Sequence, residues 1–111
     1  MKSLKYIDLF AGAGGLSEGF IRAGFEPIAH VEMNIDACDT LRTRTTFHYL
    51  KGQNRTEEYY DYLKNKITRE EFWSRAPKNL IESVINTEIS QETLPYIFNK
   101  IDDQIGKQKD W

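Results

Sequence analysis

A short apolar run that ends in a cluster of glycines constrains this chain more than any other feature. Tyr6 to Phe10 is a stretch of strand-forming residues, and Gly12, Gly14 and Gly15 follow it closely. Leu16 to Ala23 then has the apolar spacing of a helix. Because glycine lets the backbone turn sharply between a strand and a helix, the pattern predicts a strand–turn–helix unit.

A second strand and a second helix follow within a few residues. Gly24 ends the first predicted helix, and Pro27 to Glu32 forms another run typical of a buried strand. Asn34 is a candidate N-cap for a helix from Ile35 to about Thr43. Because strands and helices that alternate in this way form parallel sheets, the first half of the chain predicts an α/β fold.

The second half of the chain is rich in charged residues, and its spacing predicts helices. Six of the seven glycines lie at or before position 52, and the polar stretch Thr45 to Arg55, which contains Gly52, is the predicted loop. Beyond it, apolar residues recur at three- and four-residue spacing. The three sets are Tyr59, Tyr60, Leu63 and Ile67; Leu80, Ile81, Val84 and Ile85; and Leu94, Ile97, Phe98, Ile101 and Ile105.

Composition and charge exclude several classes of protein. Fifteen Lys and Arg stand against seventeen Asp and Glu, and this balance argues against a self-sufficient DNA-binding domain, which usually carries a basic stripe. One cysteine, Cys38, excludes a disulfide framework and a multi-cysteine zinc site. The sequence predicts no membrane span, no secretory signal and no metal site, and therefore a cytoplasmic protein.

Glycines and one acid together predict a nucleotide-like ligand. Glu32 ends the second predicted strand, eighteen positions after Gly14, where an acid can accept hydrogen bonds from two ribose hydroxyls. Ser17 takes the place of the third glycine of a dinucleotide motif. Asp8, a carboxylate beside the turn, suits a cationic amino-acid moiety better than a pyrophosphate. S-adenosylmethionine is favoured over a dinucleotide, and the dinucleotide remains an alternative.

The same residues resemble a known family. The stretch Asp-Leu-Phe-Ala-Gly-Ala-Gly-Gly-Leu from Asp8, then Gly19-Phe20, then Val31-Glu32 before a helix with Ala37, closely resembles the start of the DNA (cytosine-5)-methyltransferases. The resemblance covers residues 6–45. It implies the start of a Rossmann-like, mostly parallel methyltransferase sheet with S-adenosyl-L-methionine as cofactor, followed by a helix-rich segment. It also implies double-stranded DNA as the partner of a full-length parent, in a restriction–modification setting.

Site residues follow from the resemblance by position. Phe10 would pack against the adenine, Glu32 would bind the ribose hydroxyls, and Met33 would contact the adenine face. Glu88 and Ile89 are the nearest candidates for the motif whose acid contacts the adenine amino group. The whole implied set is Asp8, Phe10, Glu32, Met33, Glu88 and Ile89, with the backbone of Ala11, Gly12, Gly14, Gly15 and Leu16 around the methionine moiety.

The resemblance also divides the chain. Residues 1–47 are the predicted cofactor-binding half-site, 48–86 a helical insertion, and 87–111 a helix that leads to the next strand. Only two strands are predicted, and a two-stranded sheet is marginal alone, so the chain is expected to be the front of a longer protein. Its aromatic group is expected to form a packing face rather than to stack on bases: Tyr59, Tyr60, Tyr62, Phe72 and Trp73.

Catalytic residues of the resembled family are missing. The family's nucleophile is a cysteine in a Pro-Cys pair, whereas Pro27, Pro77 and Pro95 precede Ile, Lys and Tyr. Cys38 shares an apolar helix face and is expected to be a buried packing residue. The chain alone is therefore predicted to be inactive. The alternatives are a non-catalytic cofactor-binding or self-associating piece, which could form a homodimer through an exposed sheet edge, and an oxidoreductase fragment.

Overall fold

Three parallel strands form the centre of the fold. The computed structural model describes residues 4–10, 12 and 14–107. In it, β1 (Lys5–Leu9) pairs with β2 (Glu26–Glu32), and β2 pairs with β3 (Val84–Asn86), so the sheet order is β1-β2-β3. The carboxyl ends of parallel strands lie at one edge of a sheet, which places the segments after β1, β2 and β3 near one another.

Helices connect these strands and follow them. One helix lies between β1 and β2, four lie between β2 and β3, and one comes after β3 within the described residues. They are α1 (Gly15–Arg22), α2 (Ile35–Gly52), α3 (Glu57–Leu63), α4 (Arg69–Trp73), α5 (Lys78–Glu82) and α6 (Leu94–Gly106). No helix in this part of the chain is both long and apolar enough to cross a membrane.

The sheet is covered on both faces. Ile85 packs with Ile97 and Ile101 of α6, whereas its neighbour Val84 packs with Cys38 and Leu41 of α2. Since adjacent residues of a strand point to opposite faces, α2 and α6 lie on opposite sides of the sheet. This arrangement confirms the predicted α/β class and matches the start of a Rossmann-like methyltransferase fold.

Elements near the glycine turn match their predictions closely. Each of the first two strands and α1 begins within one residue of its predicted start. Asn34 is the N-cap of α2, because its side-chain oxygen accepts a hydrogen bond from the Ala37 N–H at 2.9 Å. Gly24 has φ of 93°, the left-handed conformation that favours glycine after a helix.

The predicted loop at Thr45 to Arg55 is largely wrong. Helix α2 continues through this stretch and ends only at Gly52. Leu50 and Thr46 are fully buried, and the Thr46 hydroxyl donates to the Arg42 carbonyl at 2.9 Å. Polar composition suggested a loop, but burial of one face is enough to extend a helix that has no glycine or proline before Gly52.

The helical prediction for Val84 and Ile85 is also wrong. These residues form β3 together with Asn86, and they pair in parallel with His30 and Val31. The strand therefore lies inside the segment 48–86 that was predicted to be a helical insertion. A short apolar run with two β-branched residues fits a buried strand as well as a helix, and periodicity alone does not separate the two.

Aromatic residues attach α3 and α4 to α2. Phe72 is fully buried, and its ring stacks on Tyr62 at 4.9 Å between centroids and lies 5.8 Å from Tyr59. The Trp73 indole N–H donates to the Thr43 hydroxyl at 3.0 Å. These contacts confirm that the aromatic group serves mainly for packing, although Tyr60 remains exposed.

The two edges of the sheet in the described residues are β1 and β3. An edge strand has backbone groups that can pair with another strand. Self-association through such an edge stays a prediction, and so does the division of the chain at residues 47 and 86.

We expect Phe72→Ala to lower the free energy of unfolding by about 3–5 kcal/mol, because it removes a fully buried ring and leaves a cavity. Tyr60→Ala is the matched control, since this ring is 54% exposed and should cost about 1 kcal/mol or less. Urea unfolding of both variants measures the difference. Equal losses would contradict the role of Phe72 as the centre of the α2–α3–α4 packing.

Candidate functional site

A cavity of about 230 Å³ lies where the three strands end. Its walls come from the residue after β1, from the end of β2 and the turn that follows, and from the segment after β3. The lining residues are Phe10, Val31, Glu32, Met33, Thr87, Glu88 and Ile89. This is the position at which open parallel sheets bind ligands.

Five of the residues implied by the resemblance line this cavity together. They are Phe10, Glu32, Met33, Glu88 and Ile89. Gly12 does not line the cavity, but its N–H donates to Glu32, which does. Gly14, Gly15 and Leu16 lie at the start of α1 and do not line the cavity. Ala11 lies outside the described residues.

The Glu32 carboxylate joins two turns. The Gly12 N–H donates to Oε1 at 2.9 Å, and the Asn34 N–H donates to Oε2 at 2.8 Å. The hydrogen bonds from Asn34 and then from Gly12 lower the pKa of Glu32. The carboxylate is therefore ionised at neutral pH, and each oxygen can still accept a further hydrogen bond from a ligand.

Two exposed apolar side chains, Phe10 and Met33, stand at the cavity. Phe10 is 77% exposed and Met33 is 69% exposed. Phe10 has φ of 64°, a left-handed conformation that costs a non-glycine residue about 1–2 kcal/mol. Strain and exposure of a large apolar ring at one position are typical of a ligand-binding residue.

Close packing explains why the turn requires glycine at position 14. Gly14 has φ of 93°, and a Cβ built there would lie 2.9 Å from the Leu41 Cδ2 atom. A side chain at this position would require the Leu41 side chain to shift, and the positive φ would strain any residue other than glycine. The turn can therefore lie directly against α2, which carries the Asn34 cap at its start.

Side chains fix the segment after β3. The Thr93 hydroxyl donates to the Glu88 carbonyl at 2.5 Å, and the Ser90 N–H donates to the Thr93 hydroxyl at 2.9 Å. Thr87 N–H donates to the Glu32 carbonyl at 3.0 Å. This segment is thus held against the end of β2 as one wall of the cavity.

Thr87 and Val31 line the cavity but were not among the predicted contacts. The signal for Thr87 was its place just after the apolar pair Val84-Ile85. Had that pair been interpreted as a strand, Thr87 would have fallen at its carboxyl end.

Asp8 lies away from the cavity. Its carboxylate Oδ2 is 3.9 Å from His30 Nδ1 in the neighbouring strand β2, where the His30 side chain is buried and the Asp8 side chain is mostly buried. Within the described residues, neither of these two atoms has a hydrogen-bond partner. The structure therefore does not bring Asp8 to the residues that line the cavity.

Cys38 is fully buried, as predicted for a packing residue. Its thiol donates to the Glu32 carbonyl at 3.3 Å, and burial raises the pKa of the Cys38 thiol. A raised pKa disfavours the thiolate that acts as a nucleophile. Among the described residues there is no group of three or more His, Cys, Asp and Glu side chains that could hold a metal ion.

The fold and the cavity define a class of protein. A parallel sheet with a glycine turn after its first strand, and an ionised acid at the end of its second, is the first part of a Rossmann-like methyltransferase fold. The family model for C-5 cytosine-specific DNA methylases matches residues 4–72. The chain belongs to this family.

Curated relatives agree with the family match. The chain is 55% identical over 58 residues to the type II methyltransferase M.Bpa9945I of Bacillus paralicheniformis, a match that covers 52% of this chain and 13% of the relative. It is 46% identical over 65 residues to the type II methyltransferase M1.HphI of Haemophilus parahaemolyticus, covering 59% of this chain and 18% of the relative.

A third relative is the putative type II methyltransferase M.MjaORF1200P of Methanocaldococcus jannaschii, 59% identical over 35 residues, or 32% of this chain and 10% of the relative. The chain thus spans less than a fifth of the length of these three relatives. No solved structure is a significant match.

We expect Glu32→Gln to lower the free energy of unfolding at pH 7, because the ionised carboxylate accepts two backbone hydrogen bonds. The folded-state pKa is lowered, so this stabilisation is present above the unfolded glutamate pKa of about 4.3 and is lost as the pH falls through the folded value. Urea unfolding at neutral and acidic pH should show the native and variant chains converging in acid.

Asp102→Asn is the control, because this residue is an exposed acid on α6. It should change the free energy of unfolding by about 0.5 kcal/mol or less at either pH. A Glu32→Gln effect that is the same at both pH values would contradict the role of the carboxylate charge.

Proposed function

We propose that this chain is the cofactor-binding part of a DNA (cytosine-5)-methyltransferase, with S-adenosyl-L-methionine held at the cavity. The observation that carries the proposal is the Glu32 carboxylate, ionised and held by Gly12 and Asn34 beside two exposed apolar side chains, Phe10 and Met33. When bound, S-adenosyl-L-methionine supplies the methyl group that such enzymes transfer to C5 of cytosine.

The ribose would lie against Glu32. A carboxylate with two oxygens can accept one hydrogen bond from each of two vicinal hydroxyls. Because Gly12 and Asn34 already orient both oxygens, little freedom is lost when a ligand binds. This preorganisation supports a sugar with free hydroxyls at this position.

The adenine would lie between apolar side chains. Phe10 and Met33 offer an aromatic ring and a thioether, and Val31 and Ile89 line the same cavity. Planar rings pack well against such groups. Glu88 also lines the cavity and has a carboxylate that could accept from the adenine amino group.

The methionine moiety would lie along the glycine turn. Gly15 and Leu16 are exposed at the start of α1, and their backbone would be accessible to this moiety. Gly14 is buried and the Gly12 N–H already donates to Glu32, so these two glycines would shape the turn instead. Asp8 stays a predicted contact of the methionine moiety. To make that contact, the Asp8 carboxylate would have to move from its position beside His30.

Methyl transfer itself needs a nucleophile that this chain does not offer. The cytosine must be attacked by a cysteine thiolate after it leaves the DNA stack. Cys38 is buried in α2, and burial raises its pKa, so it cannot serve in that step. We therefore propose that the chain by itself does not methylate DNA, and that double-stranded DNA is the substrate of a longer parent.

Type II methyltransferases among the relatives support a restriction–modification setting for that parent. We propose the cytoplasm as its location. The dinucleotide alternative is less well supported. Ser17 is buried at the position where a dinucleotide motif needs its third glycine, and it contacts the Tyr6 hydroxyl.

Calorimetric titration with S-adenosylhomocysteine tests the proposed site. We expect the native chain to bind and Glu32→Ala to weaken binding by about 1–3 kcal/mol, because the ribose hydroxyls lose their acceptor. Asp102→Ala, on the exposed side of α6, should bind like the native chain. No binding by the native chain, or tighter binding of NADH, would refute the proposal.

Two substitutions at Phe10 offer a second test, because they should have similar effects on binding and different effects on stability. Phe10→Gly and Phe10→Ala both remove the ring, so both should weaken S-adenosylhomocysteine binding by about 0.5–1.5 kcal/mol. Because φ is 64° at this position, Phe10→Gly should be more stable than Phe10→Ala by about 1 kcal/mol. Thermal unfolding checks the order of stability, and the reverse order would contradict the strain at Phe10.

A further inference from the structure

Asn86 binds the backbone at the end of the neighbouring strand. Its side-chain Nδ2 group donates to the Glu32 carbonyl at 3.1 Å and to the Met33 carbonyl at 3.0 Å. Asn86 is the last residue of β3 and lies opposite Glu32 in the parallel pairing. One amide therefore holds the turn in which β2 ends.

The two carbonyls that Asn86 holds belong to residues of the candidate site. Glu32 carries the carboxylate that is proposed to bind ribose, and Met33 carries an exposed apolar side chain at the same cavity. The Glu32 carbonyl also accepts from the Thr87 N–H at 3.0 Å and from the Cys38 thiol at 3.3 Å. This carbonyl is thus the point at which β2, α2 and β3 are joined.

Asn86 also leads directly into another wall of the cavity. Thr87, Glu88 and Ile89 follow it and line the same cavity as Met33. Asn86 does not line this cavity but lines another one, which is formed with residues of α2 and α6. Any effect of Asn86 on the site must therefore act through the backbone that it holds.

We propose that Asn86 is a positioning residue for the cofactor site, which sets the distance between its two walls and holds Glu32 where the ribose hydroxyls meet it. The inference rests on the proposed function of the cavity. Asparagine suits this role because a side-chain amide has two N–H donors, one for each carbonyl. Aspartate has the same shape but no donor, and alanine has neither.

A comparison of two ligands distinguishes a positioning role of Asn86 from a general effect on the stability of the protein. S-adenosylhomocysteine and its analogue without the ribose 2′-hydroxyl differ only in one group that Glu32 is proposed to bind. The native chain should prefer S-adenosylhomocysteine by about 10-fold, the size of one hydrogen bond to a charged group. A global loss of stability would weaken both ligands equally and leave this ratio unchanged.

We expect Asn86→Ala, Asn86→Asp and Glu32→Ala each to reduce the ratio to about 2-fold or less, with isothermal titration as the measurement. Asn99→Ala is the matched control, an exposed asparagine on α6 that should keep the native ratio. Far-ultraviolet circular dichroism shows whether each variant is folded at the titration temperature. If Asn86→Ala does not fold, the ratio measured for Asn86→Asp at the same temperature is the test.

Failure of this inference differs from failure of the proposed function. If the native chain binds with the 10-fold preference and a folded Asn86 variant keeps it, Asn86 is not a positioning residue and the cofactor site still stands. If the native chain binds neither ligand, or shows no preference between them, both proposals are overturned.

Discussion

The Glu32 carboxylate is the contact on which the candidate site depends. Its two oxygens accept from Gly12, in the turn after β1, and from Asn34, at the start of α2. A carboxylate can join two turns because it has acceptor positions on both oxygens. The same hydrogen bonds lower its pKa, so the contact that orders the turns also keeps a negative charge beside the cavity. One side chain can thus serve both folding and binding.

Backbone strain is concentrated in the same place. Phe10, Gly12 and Gly14 all have positive φ within five residues of each other, and Phe10 is the one that lacks the freedom of glycine. Gly14 lies so close to Leu41 that a Cβ would collide with it. The turn therefore packs directly against α2. The exposed Phe10 ring lies at the cavity, and its positive φ has a cost in stability.

Local signals explain how well the first 44 residues were predicted. Glycine turns, an asparagine cap and short apolar runs act within a few residues, and the structure has β1, α1, β2 and the start of α2 where these signals lie. Further along the chain, burial in the tertiary structure decides where the secondary-structure elements end. Helix α2 continues past Thr45 because Thr46 and Leu50 are buried, and the polar composition around them carries no such information.

The sequence by itself determined the order of strand, glycine turn and helix, the acid at the end of β2, and the family that these residues define. Only the tertiary structure decided that Val84 and Ile85 form a third strand, that Thr87 joins the cavity and that Asp8 lies beside His30 instead. The physical reason is distance along the chain. The Asn86 amide and the Glu32 carbonyl are 54 residues apart, and their contact depends on strand register and burial, which no local periodicity encodes.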